Sequence, residues 1–261
     1  MSVYENQGYV PAPAPEKTPA MTIWKSVLFS PSVETFARFR EEADLTRAVI
    51  WIAISGLVSG IAQTVVMVTS GGAAGNIEKL REILPPELAS ELPEAAAQAA
   101  PSIGTALCSI PAGLVGGIIG VFIGVGLIHL VAKLLQGQGT YTETFFLYAA
   151  PAAPLAIVMG IIQLIGGVFN RIPVIGPIFA ILVGLVSFVL GIYGLVLSAM
   201  AVAAAHRFSL GKGFAAVLLP SAVILFSCCC ITMGIIAALS STSPEFQKLF
   251  EDMSTLLILG A

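Results

Sequence analysis

Apolar stretches dominate this chain, set apart by short polar breaks and one long polar excursion. The longest runs from Ile172 to Ala205, 34 residues without Asp, Glu, Lys, Arg or His. About 20 apolar residues cross a hydrocarbon core of roughly 30 Å, so a run of this length predicts a transmembrane helix. Pro173, Gly176 and Pro177 predict a turn at its start, and His206, Arg207 and Lys212, beside Gly211 and Gly213, predict a short basic turn at its end. Apolar sequence resumes at Phe214, so this run is one leg of a membrane hairpin. The same pattern predicts spans at about 46–68, 106–135, 141–169, 177–205 and 214–239. The expectation is an all-α integral membrane protein, a bundle of five transmembrane helices covering residues 46–240.

The segments between and around the spans carry their own signals. Residues 1–20 contain Pro11, Pro13, Pro15 and Pro19 and read as a disordered Pro-rich tail. Residues 21–45 alternate apolar and charged positions: Ile23, Trp24, Val27, Leu28 and Phe29, then Val33, Phe36 and Phe39 beside Arg38 and Arg40. This pattern predicts an amphipathic segment lying on the membrane surface, with packing against the bundle as the alternative. Within it Ser30-Pro31, followed by Glu34, predicts a helix start with Ser30 as N-cap. Asp44 is the expected N-cap of the first span, and Thr140 with Glu143 forms a capping box opening the third. Pro151 and Pro154 predict a kink in that helix. Residues 69–105 form an acidic outer excursion with two Lys/Arg against five Glu, and 241–261 an outer tail.

Composition narrows the classes. The chain is 57% hydrophobic and 10% charged, against about 25% charged in soluble domains, so the bilayer is its solvent and its first partner. A net charge of −3 without a broad basic surface argues against nucleic acid. With the N-terminus in the cytoplasm, eight Lys/Arg fall inside (Lys17, Lys25, Arg38, Arg40, Arg47, Lys133, Arg207, Lys212) and four outside (Lys79, Arg81, Arg171, Lys248). The positive-inside rule favours that orientation, with the C-terminus outside.

Candidate chemistry is sparse. Gly116, Gly120 and Gly124 recur at four-residue spacing on one face of the second span and predict a close helix–helix contact, within the bundle or in a homo-oligomer. Ionisable and polar groups inside spans are functional candidates: His129 and Lys133 one turn apart, Gln163 in mid-span, and Tyr148. Snorkelling, an interhelical hydrogen bond and packing are their respective structural readings. Of the four cysteines, Cys228, Cys229 and Cys230 are consecutive and point in different directions on a helix, so no metal cage is expected. Gly211-Lys212-Gly213 lacks the earlier Gly and the Ser/Thr of a phosphate loop. No nucleophile, base and acid converge, so neither catalysis nor a cofactor is expected.

Four motifs carry a family resemblance. They are Trp24-x-x-x-Leu28-Phe29-x-Pro31-x-x-x-x-Phe36, Gly139-x-Tyr141-x-x-Thr144-Phe145-x-x-Tyr148-x-x-Pro151, Ile172-Pro173-x-x-Gly176 and His206-x-x-Ser209-x-x-Lys212-Gly213. In order and spacing the chain resembles the Yip family, membrane proteins named for interacting with Ypt/Rab GTPases, in its prokaryotic branch. The resemblance spans about residues 22–240 and implies a five-helix bundle with a cytoplasmic N-terminus, here in a bacterial inner membrane. The Asp-Leu-Tyr-Gly-Pro type motif of eukaryotic members is absent, so Rab binding is not carried over. The resulting expectation is a non-enzymatic scaffold or adaptor whose protein partners bind residues 1–40 or the cytoplasmic turns. The alternative is a small-solute or lipid transporter or channel with a site at the proline-broken helices.

Overall fold

A computed structural model describes residues 17–70, 103–169, 172 and 175–242. Most of the Pro-rich tail, the acidic excursion and the outer tail lie outside the described residues. The helices are α1 (Ala20–Phe29), α2 (Val33–Arg38), α3 (Leu45–Ser70), α4 (Ile103–Leu134), α5 (Tyr141–Phe169), α6 (Ile175–His206) and α7 (Leu210–Thr242), with a 3-10 turn at Arg40–Glu42. No strand occurs among the described residues. Among the described residues four helices are long and apolar enough to cross a membrane, over Leu45–Met67, Gly113–Leu134, Tyr141–Phe169 and Ile178–His206. Their outward faces expose large apolar side chains such as Ile119, Ile123, Leu185 and Phe188. Such a surface associates in water and suits a lipid environment. This is an all-helical integral membrane protein.

Local chemistry sets the helix ends. The Arg47 backbone N–H donates to Asp44 Oδ1 at 3.2 Å, capping α3. Glu143 N–H donates to Thr140 Oγ1 at 3.2 Å while Thr140 N–H donates to Glu143 Oε2 at 2.6 Å, completing the capping box of α5. The helix opening at residue 33 is capped by Ser32, not by the predicted Ser30: Ser32 Oγ accepts the Thr35 N–H at 3.0 Å. Ser30 instead ends α1, donating its N–H to Ser26 O at 3.1 Å. The serine two positions on stands three residues before Thr35, the spacing a side-chain cap requires. The far ends of α4 and α6 close through left-handed residues, Gln136 at φ 67° and Arg207 at φ 56°. Behind them Gly137 N–H reaches Ala132 O at 2.9 Å and Phe208 N–H reaches Ala203 O at 3.2 Å, the six-to-one bond of a Schellman end.

The core lies around α5, whose most extensive contact is with α3. Beyond the large buried Phe145, Phe146 and Leu147, its buried face is small: Ala149, Ala150, Pro151, Ala153 and Pro154. The helix runs continuously through both prolines. Gly160 lets the α3 backbone approach, since a Cβ there would lie 3.3 Å from Ser59 Cα. On α6 the buried residues Ala199, Ala201 and Ala203–Ala205 play the same part. A Cβ at Gly213 of α7 would run into the Ala199 carbonyl. Close approach through small residues is how helices pack in lipid.

Among the described residues the glycine stripe of α4 does not take this role. A Cβ at Gly116, Gly120 or Gly124 would meet nothing within 4 Å. α4 turns Val125, Ile128 and Ala132 inward instead, a 3-4 spaced apolar face with bulk enough to fill the space against α5, α6 and α7. The segment expected on the membrane surface also differs from expectation. Ile23, Val27 and Phe36 are fully buried in the same core as Trp51, Phe145, Phe146 and Leu197. α1 and α2 are part of the bundle.

A histidine–threonine–histidine cluster as candidate functional site

One end of the bundle gathers the N-termini of α3, α5 and α7 and the C-termini of α4 and α6. Here Thr144, one turn into α5, stands between two imidazoles. His129 Nδ1 on α4 and His206 Nε2 on α6 each lie 3.0 Å from Thr144 Oγ1. The hydroxyl donates its own proton to Thr140 O at 2.8 Å. A hydroxyl has one proton and two lone pairs, so both rings donate to it: His129 as the Nδ1–H tautomer, His206 as the Nε2–H tautomer. His206 Nδ1 is buried and faces the Gly137 backbone.

The Thr144 and His206 side of the cluster is closed off. Thr144 is 0% and His206 1% exposed. The α4–α5 turn lies directly over the ring: a Cβ at Gly137 would stand closer than 3.0 Å to His206 Nδ1, and one at Gly139 would overlap the Ala205 carbonyl. Gln138 N–H donates to His206 O at 3.1 Å. Tyr141 sits edge-on to His129 with centroids 5.7 Å apart, and Phe208 stacks on His206 at 5.6 Å. Outside this layer the Arg40 guanidinium bonds Ala204 O at 3.3 Å and faces Glu143 at 3.9 Å. Lys212 Nζ donates to Leu135 O at 3.3 Å, placing a cation at the carbonyl end of α4. Lys17 bonds Asp44 at 2.6 Å, and this hydrogen bond, above all, holds the Asp44 carboxyl below its ordinary pKa.

Chemically this arrangement is a tether across three helices. Nucleophilic catalysis requires a base that accepts the hydroxyl proton. Here the Thr144 hydroxyl proton goes to Thr140 O, and the Gly137–Gly139 backbone packs against His206 and Ala205. Among the described residues no three His, Cys, Asp or Glu side chains converge as metal ligands.

Of the predicted polar residues, only His129 belongs to this cluster. Lys133 stands exposed one turn further along α4. Tyr148 pairs with Ser198 and lines an apolar cavity of about 200 Å³ between α3, α4 and α5. The two serines of that cavity, Ser55 and Ser59, are already bonded to Ile52 O at 2.9 Å and Ala156 O at 3.2 Å. Gln163 lies 15 residues beyond Tyr148 on α5, about 22 Å of helix rise. Thr144 and His206 were not singled out by sequence. The signal for them was their place in two of the four motifs, since a neutral Thr and a His in a basic turn draw no notice by charge or periodicity.

Neither a curated protein nor a solved structure matches this chain. A family model described as Yip1 domain matches residues 25–231, which takes in α2 to α6 and the whole histidine–threonine cluster. The apolar helices and this match over most of the chain lead to one assignment: the chain belongs to the Yip1 domain family.

Proposed function

We propose that the protein is a non-enzymatic scaffold of the Yip type in the inner membrane of a prokaryote, with α7 as a fifth span and the Lys17 end of the bundle in the cytoplasm. The observation that carries the reading is the closed interior. Thr144 and His206 are buried, and the cavity near Tyr148 has a mainly apolar lining, so neither supports a path for a solute across the bilayer. The orientation is supported by the basic residues Arg40, Arg47, Lys133, Arg207 and Lys212, which all stand at the His206 end. α7 supports a fifth span by its length of 33 residues. The surface for partners is the pair of turns at that end, around Gln138 and around Arg207 to Lys212, with the chain before Lys17.

Two measurements test this. In a chain lacking its native cysteines, Ser90→Cys is expected to react with an impermeant thiol reagent outside intact cells and Ser209→Cys is not; the opposite pattern overturns the orientation. Purified protein in liposomes is expected to leave imposed proton and potassium gradients intact, whereas dissipation above protein-free liposomes would establish transport and sink the scaffold reading. For partner capture, Arg207→Glu with Lys212→Glu is the informative variant. Removing residues 1–40 would take Ile23, Val27 and Phe36 out of the core and report on folding instead.

A further inference from the structure

We infer that the outer face of α4 and α7 at the His206 end holds an anionic phospholipid, with Lys133 and Lys212 at its phosphate and its acyl chains along the exposed apolar rows below them. The inference takes the two turns at this end as the partner surface and names the chemistry of the partner. The lysines come from different helices and stand at one level. Lys212 Nζ donates to Leu135 O at 3.3 Å, and Leu135 is two residues beyond Lys133. The turn after α4 is also joined to the turn after α6, because Gln138 N–H donates to His206 O at 3.1 Å. This joint adds the exposed Arg207 to the same end.

The protein does not neutralise these cations. Among the described residues the ion pairs are Lys17–Asp44, Arg40–Glu143 and Arg47–Glu42. They occupy the acids of this end: Glu143 also caps α5, and Glu42 also accepts from Thr18 Oγ1 at 2.6 Å. Glu41 follows Arg40 in the 3-10 turn. Lys133, Arg207 and Lys212 stand in none of these pairs. Lys212 gives one ammonium proton to Leu135 O and keeps two for a ligand.

The residues beneath the lysines select the partner. Leu130 and Leu134 are 61% and 82% exposed, and Ile119 and Ile123 are also exposed. At about 100° per residue these four lie within about 60° of one another. The row covers 15 residues, about 22 Å of rise, against about 15 Å for half of a hydrocarbon core. Lys133 lies about 60° from Leu130 by the same spacing and tops this row. Lys212 stands seven residues, two turns, before the exposed Leu219 on α7 and tops a second. An acidic protein segment or free phosphate docked on the lysines would leave Leu130 and Leu134 in water. A phospholipid covers both, with phosphate at the ammonium groups and hydrocarbon directly below, and lysine stems extend along apolar surface toward headgroups. A net negative headgroup gains from both cations, and each lysine near an anionic lipid surface strengthens the attraction by about fivefold.

The test places p-benzoylphenylalanine at position 134 of the full chain, in liposomes of equimolar phosphatidylglycerol and phosphatidylcholine with the same acyl chains. Position 188 is the reference, since Phe188 is exposed on α6 and stands 18 residues from His206. After irradiation, phosphatidylglycerol adducts at 134 are expected to exceed phosphatidylcholine adducts by at least about threefold, and the two to be equal at 188. Lys133→Gln with Lys212→Gln is expected to bring the ratio at 134 down to that at 188. Lys17→Gln removes a cation of the same end outside the pair and is expected to leave the ratio unchanged. Equal adducts at 134, a preference that survives the double variant, or one that Lys17→Gln abolishes as well, each overturns the proposal. Adducts to protein alone at 134 also overturn it, since they would assign this face to a protein partner. Should the double variant fail to fold, the unsubstituted pair is compared at low and high salt, where screening is expected to lower the ratio and an unchanged ratio overturns the proposal. Both leaflets carry the same lipids, so the result is independent of orientation, and a failed lipid preference leaves the gradient and labelling tests of the scaffold reading as they stand.

Discussion

Thr144→Val removes one oxygen from the middle of the three-helix cluster and leaves a side chain of similar shape. Thr140 O keeps its backbone partner, the Thr144 N–H at 3.1 Å. The loss therefore falls on the two imidazole donors. His206 Nε2–H sits in a fully enclosed place with no other acceptor, and an unsatisfied buried donor costs about 1–3 kcal/mol. His129 is partly exposed, so its Nδ1–H regains some solvation and the loss is nearer an ordinary net hydrogen bond, about 0.5–1.5 kcal/mol. The sum is about 2–4 kcal/mol. Thr144→Ser keeps the oxygen and deletes one methyl, about 0.8 kcal/mol. At roughly 2–4 °C per kcal/mol for a protein of this size, Val lowers the melting temperature by about 5–15 °C and Ser by about 2–3 °C. The assay is thermal unfolding in one detergent at one scan rate, followed by tryptophan emission, with scan rate held fixed because such unfolding is often irreversible. Adding His206→Phe to Thr144→Val removes the orphaned donor along with its lost acceptor and is expected to restore part of the loss, a non-additivity that a mere volume effect does not give. A Val variant as stable as the Ser variant would refute the reasoning.

Further outcomes follow from the packing and the charges. Gly213→Ala drives a methyl into the Ala199 carbonyl and the Ala203 methyl and is expected to cost about 1–3 kcal/mol, whereas Gly120→Leu, facing open space, leaves the stability of the monomer within about 1 kcal/mol of wild type; a destabilising Gly120→Leu in monomeric protein would contradict the position of α4. Arg207 holds a left-handed conformation that costs a non-glycine residue about 1–2 kcal/mol, so Arg207→Gly is expected to raise the melting temperature, and an unchanged or lower value would place that residue outside the left-handed region. Asp44 has its pKa depressed chiefly by the Lys17 hydrogen bond, so its contribution is present above the unfolded carboxylate value of about 3.9 and fades as pH falls through the folded value. Asp44→Asn is therefore expected to destabilise at pH 7 and to match wild type in strong acid, and a constant difference between them across that range would remove the charge from the explanation.

What the sequence revealed about this fold divides by the range of the interaction. The four membrane-crossing helices are visible because a bilayer demands some 20 apolar residues in a row, a property of one segment alone. The capping box at Thr140 and Glu143 and the cap at Asp44 are equally local, three residues from donor to acceptor. The Ser30 expectation failed at the same range only because Ser32 offers the same chemistry two positions on. By contrast, Thr144 meets His206 across 62 residues, and nothing in the periodicity of either helix marks the partner.

The glycines of α4 show why composition misleads on packing in membranes. A stripe of small residues permits close approach but does not compel it, because lipid is as apolar as any helix face and offers no drive to bury the stripe. The contact is decided by which faces have something to bond. On α4 that is the face carrying His129, whose hydrogen bond to Thr144 at 3.0 Å leads to α5 and, through the same oxygen, to α6. Val125, Ile128 and Ala132 lie along this side and fill the contact. Gly116, Gly120 and Gly124 are thereby turned outward, away from the polar groups that fix the rotation of the helix. The same logic orients α1: with Tyr193 holding Leu28 and the Thr18–Glu42 pair holding the start, Ile23 and Val27 must face inward and Phe29 outward.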